Sequence, residues 1–265
     1  EGKRYYADPV LIVQVHQAEQ LTPELAQLCP AYVYVPVEIL DTDFPRVAPF
    51  LEQGAQVVAV LPRVITDDQA EDMHAMLSRA AENGVREALV GNMGHIFFAR
   101  RAGMRVRGDF GLNVFNSFTE GVLQQAGLVS ATASFELRVA QIRDLAKAVD
   151  TEMIVYGRLP LMIFENCAIR RQHGGKCSCQ NGVTYLIDRR KERFPLLNEF
   201  GCRNTLLNSR PLCLREDFAR LGVQTARLQF TIESPEECVR IARAFLSGAP
   251  LDGEFTNGLY KRGVE

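Results

Sequence analysis

The chain has 265 residues, 47% of them apolar and 23% charged, with a formal net charge of −2. That balance is ordinary for a globular protein and gives no overall pull toward nucleic acid or an anionic membrane, although a local basic patch is compatible with it. No apolar run is long enough to span a bilayer, and the start, Glu1 to Arg4, is not followed by a secretory h-region.

Short β-rich runs alternate with helix-like stretches. Val10 to Val15 reads as a strand and Ala18 to Leu28 as a helix. Strands follow at Tyr32 to Val37 and Val57 to Leu61, then a helix from Asp67 to Asn83 with an acidic first turn and a stop at Gly84. Further strands are predicted at Glu87 to Gly91, Arg105 to Asn113, Leu128 to Ala133, Glu152 to Phe164 and Ala226 to Ile232. Helices are predicted near Phe97 to Ala102, Phe118 to Ala126, Glu136 to Lys147, Arg215 to Leu221 and Pro235 to Ser247. Eight such units match an α/β fold of the (β/α)8, TIM-like barrel type. An open doubly wound sheet competes, but no glycine-rich dinucleotide fingerprint follows the first strand. The whole of 1–265 is read as one barrel domain with an insertion at 165–209. Because the sequence does not begin with methionine, the alternatives are a C-terminal fragment of a longer chain, a processed form or an excised domain, with an N-terminal domain or partner subunit missing.

The insertion breaks the rhythm. Glu165 to Ser209 is polar and rich in Cys, Arg, Gly and Asn, and forms a long cysteine-rich loop after strand seven. Loops at that end of a barrel build active sites. Four of the seven cysteines lie here: Cys167, Cys177, Cys179 and Cys202. An odd number of cysteines without a secretion signal favours a reducing cytoplasm and free or ligating thiols. Four thiolates can hold a four-iron cluster or a tetrahedral zinc, and this spacing matches neither standard pattern. The other three, Cys29, Cys213 and Cys238, read as small packing residues.

At this loop the sequence resembles a known family. Tyr156 to Met162, Asn166-Cys167, the Cys177/Cys179 pair, Leu186 to Arg189, Phe194-Pro195, Gly201 to Arg203 and Leu207 to Ser209 look like the collagenase-like peptidases of family U32. Leu112 to Ser117, Ser134 to Leu137 and Phe255 to Gly263 extend the likeness, which is strongest to the second barrel half of long members. The resemblance implies a four-iron, four-sulfur cluster on Cys167, Cys177, Cys179 and Cys202, with Cys213 a competing fourth ligand. It also implies oxygen-independent hydroxylation of an RNA pyrimidine or a ubiquinone precursor, with prephenate as oxygen source. A collagenase-like peptidase and a zinc-stabilised binding or assembly domain are the alternatives.

A peptidase needs an activated nucleophile or a metal-bound water. His-Glu-x-x-His and Gly-x-Ser-x-Gly are both absent, and His16, His74, His95 and His173 are scattered. A hydroxylase needs anion-binding and polar groups beside its cofactor. Arg63 and Arg158 are expected to face the barrel mouth and to hold a small carboxylate or phosphate, unless each forms a rim salt bridge. Asn113, Asn116 and Ser117 are candidates to bind the substrate, against a plain capping role. Glu165 is a candidate acid, base or support for Cys167. Arg170, Arg171, Lys176 and Arg189 to Lys191 make the loop basic, suited to RNA phosphates or to a solvated face.

Overall fold

The computed structural model of the chain describes residues 8–172, 174–176 and 182–262. Seven strands come first: β1 (Val10–Gln14), β2 (Tyr32–Pro36), β3 (Gln56–Val60), β4 (Glu87–Val90), β5 (Arg105–Gly108), β6 (Leu128–Thr132) and β7 (Asp150–Gly157). The chain then leaves the sheet. It forms β8 (Pro160–Phe164), β9 (Thr184–Ile187), β10 (Arg193–Glu199) and β11 (Arg203–Leu207), an antiparallel sheet of order β8-β11-β10-β9. Two residues of β12 (Leu212–Cys213) run antiparallel to the end of β7. The chain returns as β13 (Thr225–Gln229), which pairs in parallel with both β7 and β1 and closes an eight-stranded parallel barrel.

The alternation of side chains decides what lies on each face of the barrel wall. Leu11, Val13, Val33, Val35, Val57, Ala59, Ala88, Val90 and Val106 face outward into the main core beneath the helices. Ile12, Tyr34, Val58 and Leu89 point inward and form a separate cluster. The rest of the interior is charged. Arg107 and Arg227 are almost fully buried there. Arg107 donates to the Tyr34 hydroxyl (2.7 Å) and to Glu87 (2.9 Å). Tyr34 donates to Glu152 (2.6 Å). Arg227 donates to Asp109 (2.6 Å), Gln14 (2.7 Å) and Thr132 (2.9 Å), and its Nε lies 2.6 Å from Glu152. Burial works against the Arg227 charge, but Asp109 and Glu152 overcome it and its pKa is raised. Buried ions persist when they are paired and hydrogen-bonded in this way.

The outer layer contains α1 (Pro23–Ala26), α2 (Val37–Thr42), α3 (Ala48–Glu52), α4 (Ala70–Glu82), α5 (Ile96–Arg101), α6 (Ser117–Gln125), α7 (Val139–Asp144) and α9 (Pro235–Ser247), with α8 (Ala168–Gln172) in the excursion. Helix α9 shows how sequence sets such an element. Ser234 and Glu237 form a capping box, Pro235 sits in the first turn, and Gly248 ends the helix in the left-handed region. Its buried Cys238, Ile241, Ala242 and Phe245 recur at helical spacing.

The structure corrects several expected elements. The helix predicted over Ala18 to Leu28 is a 3-10 turn (Ala18–Gln20) followed by α1, because Thr22-Pro23 starts a new helix. The stretch Arg215–Arg220 is 3-10 rather than α-helical. Glu152 to Phe164, read as one strand, is two: β7 ends at Gly157, whose φ of +135° turns the chain, and β8 belongs to the other sheet. The predicted strand Arg105 to Asn113 stops at Gly108 and gives way to a 3-10 turn, Phe110–Leu112.

Candidate active site at the barrel mouth

The antiparallel sheet sits over the C-terminal ends of the barrel strands and encloses a cavity of about 450 Å³ with them. The barrel side contributes Gln14, His16, Glu38, Arg63, Asp109 and Gln229. The sheet side contributes Leu197, Glu199, Phe200, Cys202 and Thr205. Each barrel residue lies at the end of a strand or just after it, where barrel active sites are assembled.

Arg63 is exposed, and its guanidinium stacks 5.0 Å from the Phe110 ring centroid. Among the described residues no carboxylate pairs with it, so its donors are open to an anion. Asp109 is fixed by the Phe110 N–H (2.8 Å) and by Arg227 (2.6 Å). His16 Nε2 lies 3.2 Å from the Asn198 carbonyl and links barrel to sheet. Burial pushes the Glu38 carboxyl up to about 7; a backbone hydrogen bond opposes the shift and Glu199 adds to it.

Glu38 therefore imposes a pH dependence. At low pH the folded and unfolded states both carry the neutral acid, and no penalty exists. As pH rises from 4.5 to about 7, the unfolded state ionises first, and stability falls by up to about 3 kcal/mol. Unfolding measured across this window is expected to show the fall in the parent protein and to lose most of it in Glu38→Gln. An unchanged slope in the variant would refute the assignment.

The cysteine end of the small sheet is set by strand register. The last β8–β11 pair is Phe164 with Asn204. Cys202 precedes β11 and Cys167 follows β8, so both lie at that end of the small sheet. Cys202 adopts φ +60° in the β10–β11 turn, and the Cys167 sulfur accepts the Arg170 N–H at 3.3 Å. Arg203, buried beside them, holds Glu165 through both carboxylate oxygens (2.7 and 2.9 Å) and reaches Gln69 on the barrel (3.2 Å). Glu165 thus serves to tie β8 to β11. Its carboxyl is held below the usual range, chiefly by the hydrogen bond from Arg203. Cys177, Cys179 and His173 lie outside the described residues.

The other expected site residues lie elsewhere. Arg158 does not line the cavity; it donates to the main-chain carbonyls of Asn208 (3.0 Å) and Ser209 and borders a separate cleft. Asn113 closes the 3-10 turn in the left-handed region, and Asn116 caps α6 by accepting the Thr119 N–H (3.0 Å). Ser117 accepts the Ala146 N–H (2.9 Å). Asn113 and Asn116 thus end or cap local elements, and Ser117 ties α6 to the segment after α7. Cys213 lies in β12, paired with Tyr156 of β7, beyond the far end of β11 from Cys202. Cys238 is buried as a packing residue, whereas Cys29 is exposed. Glu38, Asp109, Gln14 and Gln229 were absent from the sequence-based site. Their signal was position alone, directly at or after a strand end.

The profile of peptidase family U32 matches residues 43–247, most of the chain. The chain belongs to peptidase family U32. Among solved structures, the U32 peptidase Mk0906 superposes with a TM-score of 0.54 at 10% identity, over 89% of this chain and 98% of that one. The N-acetylmannosamine-6-phosphate 2-epimerase of Clostridium perfringens gives 0.43 at 9% identity, over 89% and 92%. The tryptophan synthase A-subunit of Pyrococcus furiosus gives 0.46 at 9% identity, over 92% and 99%. No curated protein matches the sequence. Among the described residues of this U32 chain, no helix is long and apolar enough to cross a membrane, and no group of three or more His, Cys, Asp or Glu is placed to hold a metal ion. Only two of the four loop cysteines enter that second statement.

Proposed function

We propose that this chain carries out an oxygen-independent, iron–sulfur-dependent hydroxylation of an RNA pyrimidine, in a reducing, cytoplasmic setting. The observation that carries the reading is the position of Cys202. It lines the barrel-mouth cavity and leads into β11 at the same end of the small sheet at which β8 leads out toward Cys167. In sequence, Cys177 and Cys179 precede β9, whose first residue, Thr184, pairs with Leu196 toward that same end of the sheet. Thiol donors with a backbone N–H on sulfur suit a four-iron, four-sulfur cluster on Cys167, Cys177, Cys179 and Cys202. Cys213 is set in β12 against β7 rather than in the small sheet, which favours Cys202 as the ligand. A bound cluster supplies electron transfer at the cavity wall.

The protein's own residues bind and orient. Arg63 at the mouth is free to take the carboxylate of prephenate or a related small acid, or a phosphate of the RNA. Phe110, Phe200 and Phe230 offer apolar walls to a planar ring. Glu38, which ionises near neutrality, can hold or release a proton in the cavity. Arg170, Arg171 and Lys176, exposed at the cysteine end, give a basic approach for RNA. An N-terminal domain or partner subunit completing the RNA-binding surface is part of this reading.

Nucleoside analysis of transfer and ribosomal RNA tests it. Deleting the gene in its source organism is expected to remove one hydroxylated pyrimidine, restored by the parent gene and not by Cys202→Ala. Unchanged RNA, together with gelatin hydrolysis by the purified protein, would replace this reading with the peptidase.

A further inference from the structure

The cavity floor carries two carboxamides on neighbouring strands. Gln14 ends β1 and Gln229 ends β13, and the two are register partners, so their backbones lie about 5 Å apart. Both line the cavity. The Gln14 Oε1 is already occupied by Arg227 (2.7 Å), which fixes the amide and leaves its NH2 group without a partner among the described residues. Gln229 is only 8% exposed, and its Oε1 is buried without any hydrogen-bond partner. A buried acceptor left unpaired is costly, and proteins seldom keep one without a use. Gly157, opposite Gln229 in the ladder, leaves room for the Gln229 main chain, whose carbonyl oxygen a Cβ would meet at 2.3 Å.

We propose that Gln14 and Gln229 are a specificity-determining pair that reads adjacent N–H and C=O groups on the edge of a planar ring. The Gln14 NH2 donates to the ring carbonyl, and the Gln229 carbonyl accepts the ring N–H. The substrate class rests on the proposed base hydroxylation, whereas the donor–acceptor demand follows from the floor itself. A uracil-type base meets that demand; a ring lacking the N–H leaves Gln229 unpaired, the kind of loss on which polar sites discriminate strongly.

The test is binding of uridine and N3-methyluridine to the anaerobically purified full chain, followed by ligand-observed NMR titration. N3-methylation is expected to weaken binding at least about tenfold in the parent protein, because it removes the N–H that Gln229 accepts. In Gln229→Leu, uridine is expected to bind as weakly as the methylated ligand, so that the discrimination disappears. Parent protein that fails to bind uridine at millimolar concentration, or binds both ligands alike, overturns the assignment without any variant. So does Gln229→Leu that still discriminates. If discrimination is found but RNA from the deletion strain is unchanged, the hydroxylation reading fails and the pair stands. If the RNA modification is lost but Gln229→Leu still discriminates, the pair fails and the reading stands.

Discussion

Replacing Arg227 with methionine is expected to cost about 3–5 kcal/mol of stability, enough to unfold much of the protein at ambient temperature. Arg227 is fully buried and contacts Asp109, Glu152, Gln14 and Thr132 together. Methionine fills much of the same volume, so packing is not the main loss. The loss arises because two carboxylates remain in the barrel without their cation. The sign of the pH effect follows. Acidification neutralises a stranded buried carboxylate, so the variant should recover part of its stability as pH falls. Urea unfolding at neutral and mildly acidic pH checks both points. A loss under about 1 kcal/mol, the range of exposed ion pairs, would mean that the interior network is not structural.

Gly157→Ala is expected to be the most damaging small substitution in the chain. The residue sits at φ +135°, which L side chains rarely adopt, and the added Cβ would meet the Gln229 carbonyl oxygen at 2.3 Å and its Cβ at 3.0 Å. Backbone on both sides means that neither strand can yield without opening the β7–β13 seam. Strain of this kind costs at least about 2 kcal/mol. Gly54→Ala is the internal control. Gly54 also has a positive φ, +81°, but nothing lies within 4 Å of its Cβ direction, so only the left-handed penalty of about 1 kcal/mol applies. Equal losses in the two variants, measured by thermal unfolding, would show that the close approach at Gly157 carries no weight. A larger loss at Gly157 should be accompanied by a disturbed cavity floor, since Gln229 is the residue displaced.

The barrel was legible because most of its strands contain a short apolar run, and such runs alternate with helix-sized segments. Tyr32 to Val37 and Val57 to Leu61 are found within a residue of their predicted limits. What periodicity could not show was where a strand stops serving the barrel. Met153 to Phe164 is apolar almost throughout, yet the polypeptide changes sheets at Gly157. The cysteine-rich excursion was legible as an interruption of the barrel rhythm, but its β-sheet was not. Its strands contain Arg193, Asn198, Glu199, Arg203 and Asn204, a polar pattern that reads as loop. The site shows the same division. Arg63, which lines the cavity, was conspicuous in the sequence as a cation after a strand end. Gln14, Glu38 and Gln229 were missed because an isolated Gln or Glu carries no signal until closure of the barrel brings strands β1, β2 and β13 to one cavity. Arg158 and Asn116 are engaged by local backbone, and Glu165 by Arg203.

Metal and sulfide analysis of anaerobically purified protein, with an absorption spectrum, tests the central claim most directly. The account predicts about four irons and four sulfides per chain and a broad band near 400 nm, lost in Cys167→Ala and in Cys202→Ala but kept in Cys213→Ala. One zinc and a colourless protein, or iron retained in Cys202→Ala, would contradict it and leave the small sheet a structural cap over the barrel mouth.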